Sequence, residues 1–241
     1  MTGTDTEVGK TIVVAALASL GRGRQSSVAV VKAAQTGVVG SDIGDVQIVG
    51  ALAGVPPADL YEFARYPDPL APAAAARLSG LPAVDVAAAA ARITMLAEAY
   101  RLVIVEGAGG LLVRFDDEGA TLADLAHHVR APVLVVARAG LGTLNATALT
   151  LEALAHRGLE LSGVVIGSWP AEPDLAARAN IRDLETLAAR PLAGALPEGA
   201  GRLATDAFHA VASAGLGPAY GGSFDAADFR SRHEPTRKGH Q

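Results

Sequence analysis

The stretch Gly3-Thr4-Asp5-Thr6-Glu7-Val8-Gly9-Lys10-Thr11 decides the fold. It is a glycine-bounded loop that ends in Gly-Lys-Thr and runs straight into an apolar segment, IVVAALASL, at 12–20. A loop of this kind at a helix N-terminus offers backbone N–H groups and the positive end of the helix dipole to a polyphosphate. In such a loop the Lys10 ammonium reaches the β and γ oxygens of a nucleoside triphosphate, and the Thr11 hydroxyl ligates Mg2+. A chance Gly-Lys-Thr at a helix cap is the competing reading, and the apolar helix behind Thr11 argues against it. Two features are unusual. Five residues separate Gly3 from Gly9, where the common phosphate loop has four. Only Met1 and Thr2 precede Gly3, although such a loop normally follows a buried strand, so the first strand is expected to be truncated, with an upstream start as the favoured explanation.

Outward from this loop, short apolar runs alternate with longer amphipathic stretches. Strands are expected at 27–33, 102–106, 132–137, 162–167 and 192–196, with helices at 10–20, 43–53, 85–99, 141–156 and 174–189. That alternation predicts an α/β fold: a single P-loop NTPase-type domain whose mostly parallel central sheet is flanked by helices. The strand candidates are nearly all apolar, as strands covered on both faces are. The domain is expected to span 1–220. From 221 onward apolar periodicity is lost, so 221–241 reads as a disordered tail.

Composition narrows the function. The chain has 241 residues, half of them hydrophobic, a net charge of −5 and no cysteine. No basic surplus exists to neutralise nucleic-acid phosphates. The missing cysteines exclude disulfides, cysteine-ligated zinc and a thiol nucleophile. No apolar run is long enough for a membrane span and no signal peptide is evident, so a cytoplasmic location is expected.

Other segments place chemistry at strand ends, where ligands gather in open α/β sheets. Glu106 closes the 102–106 strand before a Gly-rich turn and is placed to hold Mg2+; capping of the next loop is its plainer role. Lys32 ends the 27–33 strand, where a cation would stabilise charge developing on a transferring phosphoryl group. A solvated lysine there would be unremarkable. Asp45 and Asp42 both precede the 43–53 helix, and an N-cap role is open for either. Gly142, Thr143 and Asn145 open the 141–156 helix, whose free N–H groups suit a carboxylate, although ordinary capping would also use them. His127 and His128 lie on an expected helix without an evident acid or hydroxyl partner and read as surface residues.

Taken together, GTDTEVGKT at 3–11, VKAAQTG at 31–37, VEGAGG at 105–110 and LGTLN at 141–145 resemble, in order, the segments of the dethiobiotin synthetase family. The similarity covers roughly residues 2 to 200. It implies closure of a cyclic urea from 7,8-diaminopelargonate, CO2 or bicarbonate and a nucleoside triphosphate, with Mg2+, in a homodimer. Carried onto this chain, it assigns catalytic roles to Lys10, Lys32, Thr36 and Thr6, and nucleotide contacts to Glu7, Val8, Gly9, Lys10, Thr11, Gly167, Trp169 and Pro197. Thr11, Glu106 and Asp45, aligned by the VGALAG that follows it, become the metal ligands. Thr36, Gly109, Gly142, Thr143 and Asn145 become substrate contacts. Where the family carries a proline after its lysine, this chain has Ala33. Where the better-known branch reads adenine with an Asn-Asp pair, this chain has Gly167-Ser168-Trp169-Pro170, so ATP is expected to share the site with other triphosphates such as CTP or GTP. The resemblance leaves two other P-loop relatives to separate: a partitioning-type switch ATPase and a cobalamin-type amide ligase.

Overall fold

Two parallel sheets meet at the first residue of the chain. The computed structural model describes residues 1–235. One sheet has the order β3-β2-β4, from β2 (Val28–Lys32), β3 (Leu60–Glu62) and β4 (Leu102–Glu106). The other has the order β1-β5-β6-β7, from β1 (Thr2–Gly3), β5 (Val133–Ala137), β6 (Leu161–Trp169) and β7 (Gly194–Pro197). Every ladder is parallel. The seam between the sheets is closed by backbone: the Met1 amine donates to the Val105 carbonyl at 2.8 Å and Gly107 N–H donates to the Met1 carbonyl at 3.1 Å. β1 is two residues long and ladders with β5, and Gly3 makes one isolated parallel bridge to Gly110.

Helices cover both faces. α1 (Lys10–Gly23), α2 (Asp45–Ala53) and α8 (Thr205–Gly215) pack over one apolar cluster that includes Val13, Val30, Val165 and Phe208. α7 (Leu175–Ala188) covers the opposite face of β5 and β6 through Ile181 and Leu184, with α6 (Thr143–His156) packed beside it. A third cluster, around Tyr66 and Phe115, joins α3 (Pro72–Ser79), α4 (Val86–Ala99) and α5 (Leu122–Val129). Caps explain several boundaries. The Asp85 and Asp174 carboxylates accept from the N–H groups of Ala88 and Ala177, and Gly54 and Gly80 end their helices in the left-handed region. Among the described residues no helix is long and apolar enough to cross a membrane.

The final stretch departs from expectation. Residues 221–235 were expected to be part of a disordered tail, yet α9 (Ala226–His233) forms there, capped by the Asp225 carboxylate, which accepts from Asp228 N–H. Phe224 and Phe229 are buried, and the Phe229 ring meets the Trp169 indole edge-on with centroids 4.9 Å apart. Two aromatic side chains supply enough apolar surface to dock a short helix without producing a helical hydrophobic period. The remainder of that expected tail, 236–241, lies outside the described residues.

Candidate active site

The site is built at the carboxyl ends of β2 and β4, where they face the phosphate loop. Parallel register sets Lys32 beside Glu106. Both are nearly sealed from solvent, with exposures of 4% and 2%. The Lys32 ammonium donates to Glu106 Oε1 at 2.8 Å and lies 2.5 Å from Asp45 Oδ2, the first residue of α2. Thr11 Oγ1 donates to the same Glu106 oxygen at 3.0 Å. Two carboxylates and a hydroxyl thus converge on one point that a lysine cation now neutralises. Burial disfavours the charged form of Lys32, but the Glu106 and Asp45 carboxylates outweigh it and hold its pKa above the ordinary lysine value.

Lys10, a second cation here, has no carboxylate partner among the described residues. Its ammonium donates to the Asp5 carbonyl at 2.8 Å, across the mouth of the loop. Burial, reinforced by the Lys32 charge, pulls its pKa below the ordinary value. Such a cation gains from the arrival of an anion. A cavity of 530 Å³ opens above these groups, and its lining includes Thr6, Glu7, Gly9, Lys10 and Thr11 from the loop, with Lys32, Thr36, Asp45, Glu106 and Gly109 from the strand ends. Asp42 is turned elsewhere: its carboxylate accepts from Val39 N–H at 3.3 Å.

Other expected contacts lie apart from this cavity. The Val8 side chain is buried in the core. Gly167 is buried beneath the loop instead of lining the cavity, and a Cβ on it would lie 2.1 Å from the Val8 carbonyl oxygen. Gly9, with φ of 92°, faces Gly167 just as closely, since its own Cβ would meet the Gly167 oxygen at 2.5 Å. The wide loop is thus seated on a glycine step. Gly167→Ala is expected to lift the loop and lower kcat/KM for the nucleotide on the order of 10²-fold, the cost of a misplacement near 1 Å; unchanged steady-state kinetics would contradict this. The Trp169 indole packs under α9, only 8% exposed, and Pro197 lies beside Trp169 in the β6–β7 register; neither side chain lines the cavity. Gly142, Thr143 and Asn145 stand at the start of α6, also outside it.

Two contributors escaped the sequence reading. The Gln35 side-chain oxygen accepts from Asp45 N–H at 2.8 Å and so fixes the start of α2. Arg138, at the end of β5, contacts Asp5 Oδ2 and the Thr6 carbonyl, each at 3.1 Å, and clamps the tip of the phosphate loop. Gln35 lies within the VKAAQTG segment but was given no role there, and Arg138 lies in none of the quoted segments; the tertiary fold sets both contacts.

This fold and loop define a P-loop nucleotide-dependent protein of the α/β class. A family model described as an AAA domain matches residues 1–201. The ATP-dependent dethiobiotin synthetase BioD of Frankia casuarinae is 65% identical over 97% of this chain and 98% of its own length, and that of Streptomyces coelicolor is 54% identical over 98% of each. The chain belongs to the ATP-dependent dethiobiotin synthetase family. Among solved structures, a ParA family ATPase from Chlorobium tepidum superposes with a TM-score of 0.52 at 15% identity, covering 88% of this chain and 89% of that one. The MinC:MinD complex of Aquifex aeolicus gives 0.53 at 14% identity, covering 82% and 79%. At such identities these likenesses speak for the fold alone.

Proposed function

We propose that the chain closes the ureido ring of dethiobiotin from 7,8-diaminopelargonate, CO2 and a nucleoside triphosphate. One observation carries the reading: Lys10, Lys32, Thr11, Asp45 and Glu106 line a single cavity at the mouth of a phosphate loop in a chain of this family. No nucleophilic side chain is needed, because the substrate brings its own. An amine of the diamine captures CO2 as a carbamate, and a carbamate oxygen attacks the γ-phosphorus while the nucleoside diphosphate leaves. The second amine then adds to the carbamoyl carbon, expels phosphate and closes the ring. The protein supplies position and charge.

The residues take distinct parts. The loop backbone from Glu7 to Thr11 cradles the phosphates, with Thr6 shaping its tip. Lys10 neutralises charge at the β and γ oxygens, Lys32 faces the transferring group, and the Thr36 hydroxyl and Gly109 backbone hold the diamine or its carbamate. Thr11, Asp45 and Glu106 fit a Mg2+ ion, since all three donors are hard oxygens and the point they share is already occupied by positive charge from Lys32. Bound there, Mg2+ would lower the negative charge on the phosphates. Among the described residues no group of three or more His, Cys, Asp or Glu that could hold a metal ion stands together.

The carboxylate tail of the diamine is assigned to Gly142, Thr143 and Asn145. Because these lie outside the cavity of their own chain, a homodimer in which one protomer lends its α6 N-terminus to its partner joins the two halves. Exposed Leu141 and Leu149 on and beside α6, 91% and 58% accessible, support that packing. Dimerisation in analytical ultracentrifugation, abolished together with diamine turnover by Leu141→Glu, tests it; a fully active monomer would contradict it.

The nucleobase side of the site carries no amide where the family branch that reads adenine has one. With the phosphates gripped by backbone, base choice is expected to be weak. Initial rates with ATP, CTP, GTP and UTP should then fall within about 10-fold of each other, the loss of a base-reading hydrogen bond being the only difference. A steep preference for ATP would contradict this. Turnover that requires the diamine separates the ligase from a switch ATPase, whose hydrolysis needs none.

A further inference from the structure

We infer that Glu62 and Arg65 form a clamp that positions Asp45 for the metal, so that Arg65 is a positioning residue of the phosphoryl-transfer site. The inference rests on the metal reading of Asp45 above. Residues 37–44 lead from the end of β2 to α2 and have little apolar anchorage, for Val39 and Ile43 are 62% and 72% exposed. What holds their far end is Arg65. Its Nη1 donates to the Asp42 carbonyl at 3.0 Å and to the Gly40 carbonyl at 3.4 Å. The guanidinium is itself aimed by a two-pronged pair with Glu62, Nε to Oε2 at 2.8 Å and Nη2 to Oε1 at 2.9 Å. Gly44, immediately before Asp45, rests on that pair: a Cβ there would lie 2.7 Å from Glu62 Oε1 and 2.9 Å from Arg65 Nη2.

The register of the sheet explains why the clamp bears on the metal site. Glu62 lies opposite Lys32 and Arg65 opposite Gln35. Lys32 and Gln35 are the two β2-side residues that hold Asp45, one by its carboxylate and the other by its N–H. Asp45 is therefore gripped directly from β2, and its lead-in segment is gripped one strand further out. The planar guanidinium grips both Glu62 oxygens with two parallel N–H bonds while Nη1 reaches the two carbonyls, a fixed fork that an ammonium does not offer. Loss of the fork frees Gly40 and Asp42 and lets the Asp45 carboxylate wander, while leaving the phosphate loop untouched.

Calorimetric titration of Mn2+ into full-length protein loaded with β,γ-methylene-ATP reads this directly. Arg65→Gln is expected to weaken Mn2+ binding about 10-fold, as loss of an orienting partner behind a metal ligand does. Arg65→Lys should fall between it and the parent chain. Metal-free affinity for the same nucleotide, measured in chelator, should stay within about twofold; a general loss of structure would weaken both. Should Arg65→Gln fail to fold, the Lys variant decides. Mn2+ affinity unchanged in the Arg65 variants, with Asp45→Asn weakened, overturns the clamp alone. An unchanged Asp45→Asn overturns the metal reading and the clamp with it.

Discussion

Replacing Lys10 by Ala is expected to lower the rate of dethiobiotin formation by about 10³-fold, the upper range for removing one fixed charge donor aimed at a developing anion. The reasoning begins with its surroundings. Lys10 is 7% exposed, bonds to the Asp5 carbonyl and stands near a second ammonium, so burial and like charge both act against it in the free protein. That unfavourable state is relieved when phosphate oxygens arrive, and most fully when negative charge builds on them during transfer. The variant should therefore lose kcat more than it loses nucleotide affinity, because the loop N–H groups still hold the phosphates. Single-turnover phosphate release checks this, and near-normal turnover in the variant would remove Lys10 from the site.

The second large effect is expected at Lys32. Its removal strips the cation from between two carboxylates, one of which, Glu106, is 2% exposed. Breaking a buried pair from one side costs about 3–5 kcal/mol, because the remaining charge is left unpaired. Lys32→Met is thus expected to lower the unfolding midpoint by roughly 10 °C in metal-free buffer, at the few degrees per kcal/mol usual for a chain of this size. Mg2+ should restore part of that loss by taking over the carboxylates. Catalysis should fall about 10²- to 10³-fold even with saturating Mg2+, since Lys32 also serves the transferring group. A variant whose midpoint is unmoved and indifferent to Mg2+ would contradict the shared-charge arrangement.

The parts of the molecule that were legible in sequence are those governed by local rules. The phosphate loop is a contiguous pattern, and the buried strands β2, β4, β5 and β6 announce themselves as apolar runs. Lys32 and Glu106 were legible for a related reason: each ends such a run, and parallel register then sets them side by side. β3 was missed because three half-exposed residues at a sheet edge make no apolar run. α9 was missed because Phe229 docks it edge-on against Trp169, with Phe224 packed on Phe229, a long-range contact with no local period. The same contact buries the Trp169 indole outside the cavity. Gly167 was expected to contact the nucleotide; its place as a step under the loop depends on a backbone approach that no one-dimensional pattern encodes. Arg65 and Arg138 act through backbone carbonyls distant in sequence, and so they leave no spacing to read. Gln35 stands in the VKAAQTG segment, but its bond to Asp45 N–H is set by the fold.

The measurement that bears most directly on the proposed chemistry follows one oxygen atom. If a carbamate oxygen attacks the γ-phosphorus, CO2 labelled with a heavy oxygen isotope must deliver one labelled oxygen to each phosphate released, in step with dethiobiotin formed. Mass analysis of phosphate from a turnover with diaminopelargonate, labelled CO2 and ATP should show that single transfer, and omitting the diamine should abolish phosphate release. Unlabelled phosphate, released at the same rate without the diamine, would mean that water is the nucleophile and that the chain is not a cyclising ligase.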